Sequence, residues 1–344
     1  MIAVAAAGEL FAFNDWARDG LLALAAPLND RQLDQPFAMG AGSLRATLQH
    51  HYGAERIWAE RTGAPGATAL PRADTLTAVA DLTRAAQSLA GVRRAWLATL
   101  SDDDLRRDIA YADRDGKTQT NALGDILLHV CNHGVHHRAQ AVNMLRHIGT
   151  ALPKSGLDYI FMKLQQLAAT APIPPPALDR ESVRTHYAYA DWARGRVHAT
   201  AAELSDESLD RTFEIGMGSV RATLLHIRTA EQWWFENWTL GPGRLFPPSD
   251  TRLPVAELTA LFDETRTARD RFLDGLTDAD LLRPTTATPR PGVHRTFPLG
   301  VTMLQLCCHG THHRAQVLNM FRQLGAPVPA LDYISMLREQ RPAH

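Results

Sequence analysis

The stretch HVCNHGVHHRAQ, residues 129 to 140, places four histidines and one cysteine within twelve residues. Histidine is roughly neutral in helix propensity, so local structure does not call for such a cluster. Residues four apart on an α-helix lie one above the other on a single face. His133 and His137 have this spacing and can direct two imidazoles at one point. Two imidazoles make a weak metal site, so a third ligand has to come from another element.

An internal repeat nominates that ligand. The cluster returns as QLCCHGTHHRAQ (305 to 316), LRATLQHHYGAERIW (44 to 58) as VRATLLHIRTAEQWW (220 to 234), and NDWAR (14 to 18) as ADWAR (190 to 194), each displaced by 176 positions. A residue serving a shared site should appear in both copies, whereas an incidental one need not. His50 answers to His226, but His51 answers to Ile227 and His129 to Gln305. The candidate metal ligands are therefore His50, His133 and His137 in one copy and His226, His309 and His313 in the other. His136 and His312 are also shared. A turn of about 100° per residue sets them about 60° from the first ligand of each pair, as donors behind the ligands or at the rim of a pocket.

Three imidazoles without a fourth protein ligand describe an open site that takes water or substrate and acts as a Lewis acid. Zinc, nickel and ferrous iron all suit imidazole. No ExxH pair for a di-iron carboxylate bundle and no HExxH is present. Gly53 and Ala54, answered by Thr229 and Ala230, leave room beside the helix-borne histidine. Cys131 and Cys307 fall about 160° round the helix from His133 and His309 and are expected as packed apolar side chains. Arg138 with Gln140, and Arg314 with Gln316, are candidates to anchor an anionic substrate, to orient ligands, or to pair with Glu55 and Glu231. Trp16 and Trp192 are expected in the core. Asp15 and Asp191 are either carboxylates behind a ligand histidine or exposed helix positions.

These residues need helices to carry them. Apolar periodicity predicts helices over about Ala7 to Leu28, from Ser43 (an N-cap) to before Gly63 and Pro65, from Thr75 to Leu100, and from Ala122 to Ile148, stopping at Gly149. A polar stretch before the last admits a short hairpin around Asp115 and Gly116, and a brief helix with Asp158 and Tyr159 closes the copy. GLDYI (156 to 160) returns as ALDYI (330 to 334), now displaced by 174. The expected fold class is all-α: two tandem four-helix bundles forming a pseudo-dimer, over 1–168 and 180–344, with a Pro-rich linker at 169–179.

Bulk properties narrow the function. Lys and Arg number 36 against 37 Asp and Glu, so there is no global electrostatic reason to bind nucleic acid or an anionic membrane. No signal peptide and no span of about 18 apolar residues is apparent. Three cysteines in 344 residues make no disulfide framework, which fits a reducing cytoplasm.

Taken in order, NDWAR, LRATLQHHYGAERIW, NHGVHHRAQ and LDYI resemble the DinB/YfiT-like family of metal-dependent proteins, twice over and across nearly the whole chain. The resemblance implies a four-helix bundle of unusual connectivity and three histidines on a divalent metal, matching His50, His133, His137 and His226, His309, His313. Many single-domain members dimerise, so it implies a fused dimer, as a monomeric pseudo-dimer or weak oligomer. It implies a transferase that uses a low-molecular-weight thiol such as bacillithiol, mycothiol or glutathione on an electrophilic small molecule. A metal-dependent hydrolase and a non-catalytic metal-binding scaffold or stress-response protein are the alternatives.

Overall fold

The computed structural model describes residues 1–113, 115–153, 156–169, 178–248 and 252–340. Its helices are α1 (Val4–Ala25), α2 (Asp30–Leu33), α3 (Leu44–Arg61), α4 (Val79–Leu97), α5 (Leu123–Ile148), α6 (Tyr159–Ala169), α7 (Arg180–Ala202), α8 (Asp206–Asp210), α9 (Val220–Thr239), α10 (Val255–Asp274), α11 (Leu299–Leu324) and α12 (Tyr333–Gln340). Two antiparallel hairpins, β1 (Asp108–Ala112) with β2 (Thr118–Ala122) and β3 (Pro284–Arg290) with β4 (Val293–Pro298), lead into α5 and α11. Gly116 and Gly292 take positive φ at the two hairpin tips. Most of the expected linker, residues 170 to 177, lies outside the described residues.

Helix ends follow local chemistry. Ser43 Oγ accepts from the Ala46 amide at 3.2 Å and Ser219 Oγ from the Ala222 amide at 3.1 Å, capping α3 and α9. Gly149 and Gly325, at φ +88° and +70°, end α5 and α11 in the left-handed conformation. The third helix begins at Val79 rather than near Thr75, because Ala73–Thr75 forms a separate 3₁₀ turn.

Each bundle closes as a ring of four. In the first, α5 packs on α1 and α3, and α4 packs on those same two; in the second, α11 and α10 each pack on α7 and α9. The compact units do not follow the sequence copies. One comprises Met1–Leu157 with Asp332–His344 and the other Asp158–Leu331. The physical reason is that α12 packs on α5 and α6 on α11. The closing helix of each copy thus belongs to the unit built by the other. Tyr333, 3% exposed, anchors α12 by donating to Asp125 Oδ1 at 3.1 Å. Burying such a side chain contributes about 2 kcal/mol.

A buried ionic cluster ties three helices of the first bundle. Arg93 Nη1 donates to Glu55 Oε2 at 2.8 Å and its Nη2 to Asp15 Oδ1 at 2.5 Å, while Arg18 Nη1 donates to Asp15 Oδ1 at 2.8 Å. Burial opposes the charge on Glu55, but Arg93, His51 and Arg18 outweigh it and hold its carboxyl below the usual range. In the second bundle Arg269 takes Asp191 at 2.5 Å, whereas Arg194 reaches Glu231 only at 3.9 Å. Burial then dominates and raises the Glu231 carboxyl. Asp15 and Asp191 therefore hold arginines, which corrects their expected place behind a ligand histidine or on an open surface. Trp16 and Trp192 are half-buried, not core residues.

Glu55→Gln strands buried guanidinium charge and should destabilise the first unit by about 3 kcal/mol or more in chemical denaturation. A second expectation concerns pH. His186 and His198 are buried, and burial pushes both down to about 4. Unfolded histidine titrates near 6.5, so between these values the unfolded chain binds protons that the folded chain does not. Stability from these groups is complete above pH 6.5 and is lost as pH falls toward 4, on the order of 3 kcal/mol per histidine. Melting of metal-free protein across this range should show the fall, and His186→Leu with His198→Leu should make it shallower.

Candidate metal centre

The i, i+4 spacing on α5 stacks His133 and His137, and the facing helix α3 brings His50 to them. His133 Nε2 lies 3.3 Å from His50 Nε2 and 3.1 Å from His137 Nε2. The second unit repeats this: His226 Nε2 on α9 lies 3.1 Å from His309 Nε2 on α11, and the His309 and His313 ring centres are 4.4 Å apart. In each triad, one donor atom from every histidine lies within 4.8 Å of the other two. All six ligand candidates are thus gathered as two triads.

A tetrahedral ion with nitrogen ligands at about 2.0–2.1 Å separates those nitrogens by about 3.3–3.4 Å. The observed spacings are close to this, so the donor set fits a divalent ion. Electrostatics agrees. Burial, followed by the neighbouring imidazoles, depresses His133 and His309 well below the ordinary range. It takes His137 to about 2 and His313 to about 3. His133, His137, His309 and His313 are thereby held neutral, with lone pairs to offer.

A glutamine sets which nitrogen is free. His137 Nδ1–H donates to Gln140 Oε1 at 2.7 Å, which leaves Nε2 unprotonated and aimed at the triad. The same amide donates through its Nε2 to His136 Nε2 at 3.0 Å. Gln316 repeats both contacts with His313 and His312, at 2.7 and 3.0 Å. His136 and His312 thus steady the glutamines behind the ligands. Of the roles open to Gln140 and Gln316, the structure shows ligand orientation.

Glycines that sequence reasoning passed over press on these amides. Gly40 and Gly216 both have φ +56°, and a Cβ at Gly40 would come within 2.6 Å of Thr47 Oγ1 and 3.3 Å of Gln140 Oε1. At Gly216 it would come within 2.7 Å of Gln316 Oε1. Only glycine suits the backbone angle and the approach. Their recurrence 176 positions apart, in MGAGS and IGMGS, was the available signal.

Arg138 and Arg314 do not serve as anchors facing a cavity. Both are 3% exposed. Arg138 lies 4.2 Å over Phe13 and donates to Asn14 Oδ1 at 3.3 Å, and Arg314 donates to Thr311 Oγ1 at 3.0 Å. Cys131 and Cys307 are buried, as expected of packed side chains.

The first triad opens on a cavity of about 790 Å³. His50 and His133 form its floor, with Gly53 and Ala54 beside them. Trp58, Tyr111 and His129 make an aromatic wall, with Trp58 edge-on to Tyr111 at 4.8 Å and to His129 at 5.4 Å. Arg61 lies over Trp58 at 4.9 Å, and Asp332, which immediately precedes α12, and Arg338 within it complete the lining. His129, unshared in sequence, is therefore a cavity residue. The part played by α12 was hidden from sequence reasoning, whose only trace of it was the repeated LDYI.

The DinB family profile matches residues 1–168 and 179–343, one match per sequence copy. No curated protein and no solved structure matches the chain. Replacing Gln140 by Ala frees the His137 ring and should weaken metal binding at the first triad by about 10- to 100-fold. Isothermal titration should show it, with Gly40→Ala, which displaces the same amide, moving in the same direction.

Proposed function

The chain belongs to the DinB family, and on that premise we propose that each unit holds one divalent ion on its histidine triad. We further propose that the protein transfers a low-molecular-weight thiol onto an electrophilic small molecule. The observation that carries this reading is the convergence of three imidazoles on one point, with two of them, His50 and His133, lining a cavity of ligand size. An ion bound there supplies Lewis acidity and favours the deprotonated form of a thiol beside it.

The chain's own residues prepare the site. Gln140 keeps His137 in the tautomer that donates from Nε2. Trp58 and Tyr111 offer an apolar wall to the body of the electrophile, and Gly53 and Ala54 leave space above the triad. In the transfer, the thiol sulfur forms the new S–C bond, the leaving group departs with the bonding electrons, and the thiol proton passes to solvent. Among the described residues no helix is long and apolar enough to cross a membrane, which suits small-molecule work away from a bilayer.

Metal analysis of protein loaded with zinc, nickel or ferrous iron should give close to two ions per chain, one for each triad. His133→Ala should remove one, and His133→Ala with His309→Ala should remove both; full retention in the double variant contradicts the reading. Loaded protein should also accelerate loss of glutathione, or of another small thiol, in the presence of 1-chloro-2,4-dinitrobenzene. The double variant should return this to background.

A further inference from the structure

The two triads are nearly superimposable in chemistry, yet their surroundings are not. Over the first, Ile57 is 45% exposed at the cavity; the residue in its place over the second, Trp233, is 5% exposed. Trp233 Nε1 donates to the Arg244 carbonyl at 2.9 Å, which draws the following loop inward. That loop sets Phe246 at 5.4 Å from the Trp233 ring and 6.0 Å from the His226 ring. A cavity of about 490 Å³ does lie against Trp233 and Arg244, but none of the three histidines lines it.

Polar groups diverge in the same sense. Arg61, Tyr111 and His129 of the first cavity are answered by Asn237, Ala287 and Gln305. Gln305 is spent internally, its Oε1 accepting from the Ile160 amide at 2.8 Å. Arg338 of α12 is answered by Leu164 of α6. The first cavity thus presents both signs of charge, lined by Arg61 and Arg338 and by Asp74, Asp113, Asp115 and Asp332. The second has replaced both cations with neutral side chains.

We propose that the two centres have diverged in what they admit. The first takes an extended zwitterionic ligand of peptide size, its head on the triad and its charged body along Arg61, Asp332 and Arg338. The second, under Trp233 and Phe246, takes only small ligands. This rests on the reading that both triads hold metal. It also makes the C-terminal helix α12 the specificity element of the first centre, although that helix begins 200 residues beyond His133 in the chain.

The test uses the full chain with one triad disabled at a time and cobalt(II) in the other, whose visible absorption reports a thiol reaching the metal. His226→Ala leaves the first centre and His50→Ala the second; His309→Ala and His133→Ala replace them if either variant fails to fold. Each protein is titrated with glutathione and with 2-mercaptoethanol. The preference for glutathione should be about tenfold or more greater at the first centre. Trp233→Ile with Phe246→Leu should raise glutathione binding at the second centre, and Arg338→Leu should lower it at the first. Equal preferences at the two centres, or no response of the cobalt band to either thiol, overturn the divergence while leaving the metal sites standing. Absence of a cobalt band in both single-triad proteins overturns the metal reading itself.

Discussion

The His133 imidazole nitrogen, held 3.3 Å from that of His50 and 3.1 Å from that of His137 inside a helical bundle, is the constraint on which the rest of the structure depends. Nitrogens this close repel one another unless a proton or a cation lies between them, and partial burial disfavours protonation of the rings. A divalent ion would satisfy all three nitrogens at once, and the protein supports the arrangement from behind. One amide per unit fixes the tautomer of the third histidine, and a glycine of left-handed conformation lets the loop before α3 or α9 approach that amide. Histidine, glutamine and glycine form a chain of dependence running from the triad to the backbone of a loop.

The same helices that carry ligands also carry charges inward on their other faces. Glu55 lies five residues beyond His50 on α3 and meets Arg93 of α4 and Arg18 of α1. Such pairs contribute little net stability, but removing one partner is costly. They therefore act mainly to fix which faces of the helices meet, and so where His50 stands relative to α5. Between the copies this cluster has loosened around Glu231 while the triad has kept its spacing, which separates what the triad demands from what the bundle tolerates.

Exchange of the closing helices gives the chain a further freedom. Because α12 belongs to the first unit and α6 to the second, each triad is flanked by a segment from the other sequence copy. The two closing helices can then change independently of the ligands that they flank. Asp332 and Asp158 remain matched while Arg338 and Leu164 do not, and the cavity walls differ accordingly.

The sequence by itself determined the helices, their caps and both triads. Apolar periodicity, Ser43 and Gly149 act through contacts within a few residues, and the repeat at a displacement of 176 sorted His50 from His51 and His133 from His129 without coordinates. The class of fold and the DinB resemblance followed from the same order of motifs. Only the tertiary structure decided the rest. It turned Arg138 and Arg314 inward, gave Asp15 and Asp191 to arginines, left Trp16 and Trp192 half-buried, and moved each closing helix to the opposite unit. The reason is physical: periodicity records that a face is buried but not what buries it. Which partner a buried side chain meets depends on packing between elements distant in the chain, and no local pattern encodes that.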